Sequence, residues 1–145
     1  MKLLIGILIL MPRLAFATDR CPDFSGRYMI QGEDGQVFIT ITQQGCRQMT
    51  VERTNNYLGT ITKERHTLKL DGVLHPDSSW YGGTDKEKSS AKFVSGKLEL
   101  VVASASSGKV FWKESWEFLP DGNIAMKNDA DDAFAHGPTV AKKQK

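Results

Sequence analysis

Little in this chain marks catalysis. Its three histidines, His66, His75 and His136, stand far apart, and the His-x-x-x-His spacing that seats a zinc ion does not occur. A glycine-rich phosphate loop and a nucleophile elbow are also missing. These absences argue against a metallohydrolase, a nucleotide enzyme or an esterase, and the chain is read as a non-enzyme. Helical periodicity is nearly absent too, which excludes a bundle. Charge of one sign is the next thing lacking. The full chain carries 19 Lys and Arg against 17 Asp and Glu. Two of the basic residues, Lys2 and Arg13, fall in the first segment, so the remainder is close to neutral. Neutrality speaks against nucleic acid or an anionic membrane as the main partner, since both call for clustered excess cations.

Long apolar runs are also scarce. The one at the start, Leu3 to Met11, is broken by Gly6 and is far shorter than the roughly 20 residues that cross a bilayer. Lys2 precedes it, Pro12 and Arg13 end it, and Ala15-Phe16-Ala17 follows the small-x-small cleavage rule. Residues 1–17 therefore read as a secretory signal peptide. The expected product is exported, periplasmic or extracellular, with no membrane span. Arg20 before Cys21 does not suit lipid attachment, which wants a small residue there. The two cysteines, Cys21 and Cys46, would pair in an oxidising compartment. A loop of that length is worth roughly 3–4 kcal/mol in the chain-entropy model.

What is present is alternation. Short runs of period two recur, separated by turn residues, as in an antiparallel all-β domain. They lie at 24–30, 36–43, 46–53, 57–62, 66–73, 87–94, 97–104, 109–119 and 123–128. Turns are read at "GEDG" (32–35), "QG" (44–45), "TNN" (54–56), "SG" (95–96), "ASSG" (105–108) and "PDG" (120–122). This is an up-and-down meander of eight or nine strands in a single domain, 18–128. A sheet of that length closes on itself because closure removes its edges. If the first strand runs up and the second down, Cys21 before the first and Cys46 at the second turn meet at one end. Closure with antiparallel pairing needs an even count, and 57–62 is the weakest of the nine runs. The tail, 129–145, shows no alternation and reads as disordered. Asp129, Asp131 and Asp132 within it lack a glycine-punctuated loop and are read as solvated, so no metal site and no cofactor are expected.

The opening "CPDFSGRY" resembles the start of lipocalin-like (calycin-type) proteins, small secreted barrels with a Gly-x-Trp motif on the first strand. Gly26-Arg27-Tyr28 stands in that place, with Tyr for Trp. Ser25-Gly26-Arg27-Tyr28 is similar to the opening of avidin-like barrels as well, but their later biotin-contacting positions find no match. The resemblance implies an eight-stranded barrel whose cavity holds a small apolar or amphipathic ligand, and no catalytic residues.

"FWKESWEFLP" (111–120) raises a chemical question. As a strand it puts Trp112, Glu114, Trp116 and Phe118 on one face. The inward row also includes Tyr28, Ile39, Val51, Leu68, Leu100 and Ile124. A carboxylate there needs a partner or a raised pKa. Either Glu114 faces a cavity between the two indoles and binds a ligand's polar or cationic end, or it avoids burial. A bulge near Lys113 would turn it outward, and a place at the rim would pair it with Arg27 or Arg53. The long loop "HPDSSWYGGTD" (75–85) places Trp80 and Tyr81 beside Gly82-Gly83. It is either a flap over the cavity mouth, a contact site for a protein partner, or a plug for the core's end. The candidate ligand-binding set is thus Tyr28, Trp80, Tyr81, Trp112, Glu114 and Trp116. Two functions compete. A small-molecule carrier needs an interior its side chains do not fill. An interaction or inhibitor module acting through 75–85 needs a filled one.

The intact mass of the protein taken from its exported compartment checks the signal peptide and the disulfide. The expected chain begins at Thr18 and is lighter by two hydrogens than its reduced form. A chain retaining Met1 would refute the signal peptide.

Overall fold

The computed structural model describes residues 21–77, 87–128 and 139–145, and all its regular structure there is β. Ten strands form one antiparallel sheet: β1 (Gly26–Gln31), β2 (Gly35–Gln44), β3 (Gln48–Tyr57), β4 (Thr60–Lys69), β5 (His75–Asp77), β6 (Glu87–Val94), β7 (Lys97–Ser104), β8 (Val110–Phe118), β9 (Ile124–Asn128) and β10 (Thr139–Lys143). The order is β4-β3-β2-β1-β10-β9-β8-β7-β6-β5. The last strand pairs with the first, Tyr28 opposite Lys143. The two sheet edges, β4 and β5, lie on either side of a seam where β4 approaches β6. A hydrogen bond from Gly72 N to Ala91 O (2.9 Å) joins the two sides near one end of the barrel.

The all-β barrel and its meander are as expected, but the count among the described residues is ten. The runs at 57–62 and 66–73 merge into one strand, β4, which spans only Thr60–Lys69, with Tyr57 ending β3. The expected turn at Thr54-Asn55-Asn56 is corrected, because β3 continues through it with Asn55 opposite Thr62 and Asn56 opposite Ile61. The reversal falls instead at Leu58 (φ 47°) and Gly59 (φ 82°). Two successive positive φ values make the turn whose twist matches a hairpin, and Ser95 (φ 50°) and Gly96 (φ 78°) repeat it between β6 and β7. Leu58 takes a conformation that costs a side-chain-bearing residue about 1–2 kcal/mol, so no propensity signal marks it. His75–Asp77, expected in the long loop, forms the short strand β5.

The expected disordered tail is corrected over 139–143. Thr139–Lys143 fills the gap between β1 and β9 with ladders to both. Five residues are too few to show a clear period, and Ala141, at 1% exposure, is the only one buried. The barrel domain therefore extends past residue 128. Asp129, Asp131 and Asp132 lie outside the described residues.

One end of the barrel is closed by the chain that enters it. Cys21 and Cys46 are bonded, with Cα atoms 5.5 Å apart, at the end where β1 begins and β2 gives way to β3. Between the disulfide and β1, Phe24 turns inward and is fully buried. Its ring stacks on Phe118 at 4.3 Å between centroids and meets Phe93 and Trp116 at 6.0 and 6.3 Å. Gln43 secures the segment. Its Oε1 accepts from Phe24 N at 3.0 Å, and its Nε2 donates to Pro22 O at 2.9 Å. Tyr28 lies over Gly26 so closely that a Cβ at Gly26 would stand 3.3 Å from the ring. The Tyr28 hydroxyl donates to Phe24 O at 3.1 Å, and burial, with Asp23 nearby, pushes its pKa up. Met49, Leu68, Leu98 and Ile124 complete this apolar half.

Two substitutions test the architecture. Ala141→Asp places a charge inside the closed barrel and should cost about 3 kcal/mol or more in urea unfolding. A cost under about 0.5 kcal/mol, the level of a surface change, would put β10 outside the barrel. Phe24→Ala should cost about 3–5 kcal/mol, the usual range for a buried aromatic.

Candidate functional site

The period of two carries two strands from an apolar half into a polar one. On β3 the inward row runs Met49, Val51, Arg53, Asn55, and on β8, read from the closed end, it runs Phe118, Trp116, Glu114, Trp112. β4 and β6 add His66, Glu87 and Ser89, all buried. His66 Nε2 lies 3.8 Å from Glu64 Oε2. Polar side chains thus collect towards the end where β1, β3 and β9 finish and β10 begins.

Glu114 faces inward and is 6% exposed. The one irregularity in its pairing with β7 falls at Val102/Ala103, so no bulge at Lys113 turns it out. Its burial is made tenable by its own strand. Trp116 Nε1 donates to Oε1 at 2.7 Å, and Trp112 Nε1 donates to Oε2 at 3.1 Å. Residues two apart on a strand point the same way, so each indole at i±2 can reach a carboxylate placed between them. Without that acceptor the Trp116 N–H would be buried with no hydrogen bond to its own row. Across the barrel, Arg53 Nη2 lies 3.9 Å from Oε2, an ion-pair contact beyond hydrogen-bond distance. Arg53 was one of two arginines expected near this carboxylate. The other, Arg27, is exposed.

Above this group lies a cavity of about 220 Å³, open to solvent at one side. Ile30, Val37, Ile39, Met126 and Trp112 give it an apolar wall. Arg53, Asn55, Glu114, Asn128 and Thr139 give it a polar one. The gap behind Trp112, bounded by Ser89, Leu100 and Val102, is too narrow for a water molecule. The barrel is therefore filled in its closed half and hollow in its open half.

Of the six candidate residues, the cavity takes two, Trp112 and Glu114. Trp116 touches it only through Glu114, being fully buried beneath. Tyr28 belongs to the closed end, packed on Gly26 and bonded to Phe24, so its expected place at a ligand is corrected. Its register explains this: Tyr28 sits near the start of β1, and Ile30, two residues on, reaches the cavity. Trp80 and Tyr81 lie outside the described residues. Asn55, Asn128 and Thr139 were not foreseen. Asn55 continues the inward row of Val51 and Arg53, a signal hidden by reading "TNN" as a turn. Thr139 belongs to the strand hidden in the tail.

No protein-family model and no curated protein matches this chain. Solved structures do. A mutant of the fluorescent protein UnaG superposes with a TM-score of 0.68 at 15% identity, over 84% of this chain and 96% of that one. Human cRBP IV gives 0.62 at 12%, over 85% and 99%. Secretory abundant heat soluble protein 4 from Ramazzottius varieornatus gives 0.59 at 10%, over 84% and 95%. At such identities the likeness carries the fold and nothing finer: this chain has the fold of a lipocalin-like, calycin-type β-barrel.

Proposed function

We propose that this protein is exported and binds one small apolar or amphipathic molecule in the open half of its barrel, without catalysis. The observation that carries the reading is the cavity of about 220 Å³ in a barrel whose other half is tightly packed. A filled interior was the requirement of an interaction module, and the open half does not meet it. The volume lies below the roughly 300–1,000 Å³ typical of sites for drug-sized ligands. The occupant is accordingly small, or only one end of it enters.

Its apolar part would lie against Ile30, Val37, Met126 and the Trp112 ring, and its polar part would turn to Arg53, Asn55 and Asn128. Glu114 acts mainly through its neighbours. Both its oxygens already accept indole protons, so it fixes the plane of Trp112 and holds Arg53 near the cavity.

Native mass spectrometry of the exported protein, followed by denaturing extraction, is the direct test. A co-purifying small molecule is expected, and a bare mass together with no response of Trp112 fluorescence to a panel of small amphiphiles would overturn the reading. Glu114→Gln keeps the shape but leaves one indole without its oxygen acceptor. Binding of the extracted molecule should weaken about tenfold, near 1.4 kcal/mol, with a shift in tryptophan emission. Unchanged retention would remove Glu114 from the site. Glu114→Ala removes the acceptor of the buried Trp116 N–H and the carboxylate facing Arg53, and should destabilise the fold by about 3–5 kcal/mol, measured by denaturant unfolding.

A further inference from the structure

The chain's overall neutrality conceals how the register sorts its charges. Between residues 46 and 70 the sequence holds Arg47, Arg53, Lys63, Arg65 and Lys69 against Glu52 and Glu64. β3 and β4 pair Arg53 with Glu64, and both side chains are partly buried on the inner row. What stays exposed is Arg47, Lys63, Arg65 and Lys69 against Glu52 alone. The next strand, β2, adds no charge to this face, since its outward residues are Gln36, Phe38, Thr40, Thr42 and Gln44. One cation, Arg65, is offset by Glu52 at 3.5 Å. Lys63, Lys69 and Arg47 carry the excess.

The same hairpin ends in an apolar tip. Leu58 is 81% exposed, Ile61 63% and Tyr57 55%. Single exposed apolar residues are ordinary on a protein surface, but here three fall within five residues at the outermost point of one hairpin. Glu33 and Asp34 of the neighbouring turn do not cover them. Asp34 accepts from the Tyr57 hydroxyl at 3.0 Å, and its carbonyl accepts from Leu58 N at 3.4 Å, so the acidic turn braces the tip and leaves Leu58 and Ile61 outward.

We propose that the outer face of the β3–β4 hairpin docks on an anionic lipid surface, with Leu58 and Ile61 entering the interface and Lys63, Lys69 and Arg47 meeting the headgroups. Charge complementarity chooses this occupant. A row of basic side chains along one face, with an apolar tip at its end, fits a broad layer of phosphates. Strand spacing supports the placement. Ile61, Lys63 and Lys69 share the outer face of β4 by the period of two, so a hairpin lying flat on the surface brings all three to it together. The proposal stands independently of whether the cavity holds a ligand.

The test is flotation of the disulfide-bonded mature chain with phosphatidylcholine vesicles, with and without phosphatidylglycerol. Binding is expected only with the anionic lipid, and it should fall as salt rises. Reversal of two cations, in Lys63→Glu with Lys69→Glu, should weaken it by at least about 30-fold, since each basic residue near such a surface contributes about a fivefold gain. Leu58→Asp should weaken it too. Asp tolerates the left-handed conformation of that turn, so the fold should survive, as far-ultraviolet circular dichroism would verify. Ile61→Trp adds a direct reporter, whose emission should shift to the blue on anionic vesicles alone. Equal binding to both vesicle types, full binding by the charge-reversed chain, or no blue shift from Trp at 61 would overturn the proposal. So would binding of a purified protein partner through the tip with no vesicle binding.

Discussion

A single carboxylate between two indoles organises the interior of this barrel. Trp112 and Trp116 bring large apolar area to the inside of β8, but each brings an N–H that must find an acceptor. Water cannot reach the Trp116 nitrogen, and the neighbouring strands offer Leu98, Leu100 and Met126 at that level. Glu114, set between the rings by the period of the strand, accepts from both at 2.7 and 3.1 Å. In return the indoles replace part of the hydration the carboxylate loses on burial. Arg53 at 3.9 Å supplies the opposite charge across the barrel. Burying any one of these groups alone would be costly, whereas the four together can be held in the interior.

That group also marks the boundary between the barrel's two halves. Towards the disulfide the space is filled by Phe24, stacked on Phe93 and Phe118 and met edge-on by Trp116. In the other direction the inward side chains become polar and spread apart, leaving about 220 Å³. The plug at the closed end depends on Cys21–Cys46 and on Gln43, which together fix a segment that belongs to no strand. The closed half gives the sheet a rigid base, and a hollow open half can then be tolerated.

Particular residues show where sequence reading succeeds and where it stops. The alternation in "QVFITITQ" and "KLELVVAS" is sustained by β-branched and large apolar side chains, and both runs are strands at nearly the expected bounds. The serine-glycine turn at 95–96 is where it was expected. "TNN" misled because asparagine favours turns, yet Asn55 and Asn56 pair across to β4 and the chain reverses at a leucine. β10 was invisible because Thr139–Lys143 has one small buried residue and otherwise polar or exposed ones. Its strand character comes from two waiting neighbours, the free edges of β1 and β9, and edges supply hydrogen-bond partners to any segment that reaches them.

The sequence by itself determined the all-β meander, the meeting of Cys21 with Cys46, and the shared face of Trp112, Glu114 and Trp116. Each follows from local rules: a period of two, turn chemistry, and the parity of up-and-down strands. Only the tertiary structure decided that Glu114 stays inside with Arg53 as its counter-charge, that Phe24 rather than a strand residue closes the barrel, and that Tyr28 lies in the base and Asn55 and Thr139 at the cavity. It alone separated the inward Arg53 and Glu64 from the outward Lys63, Arg65 and Lys69. The reason is that period two says which residues share a face, whereas the register between strands far apart in sequence decides what each face meets.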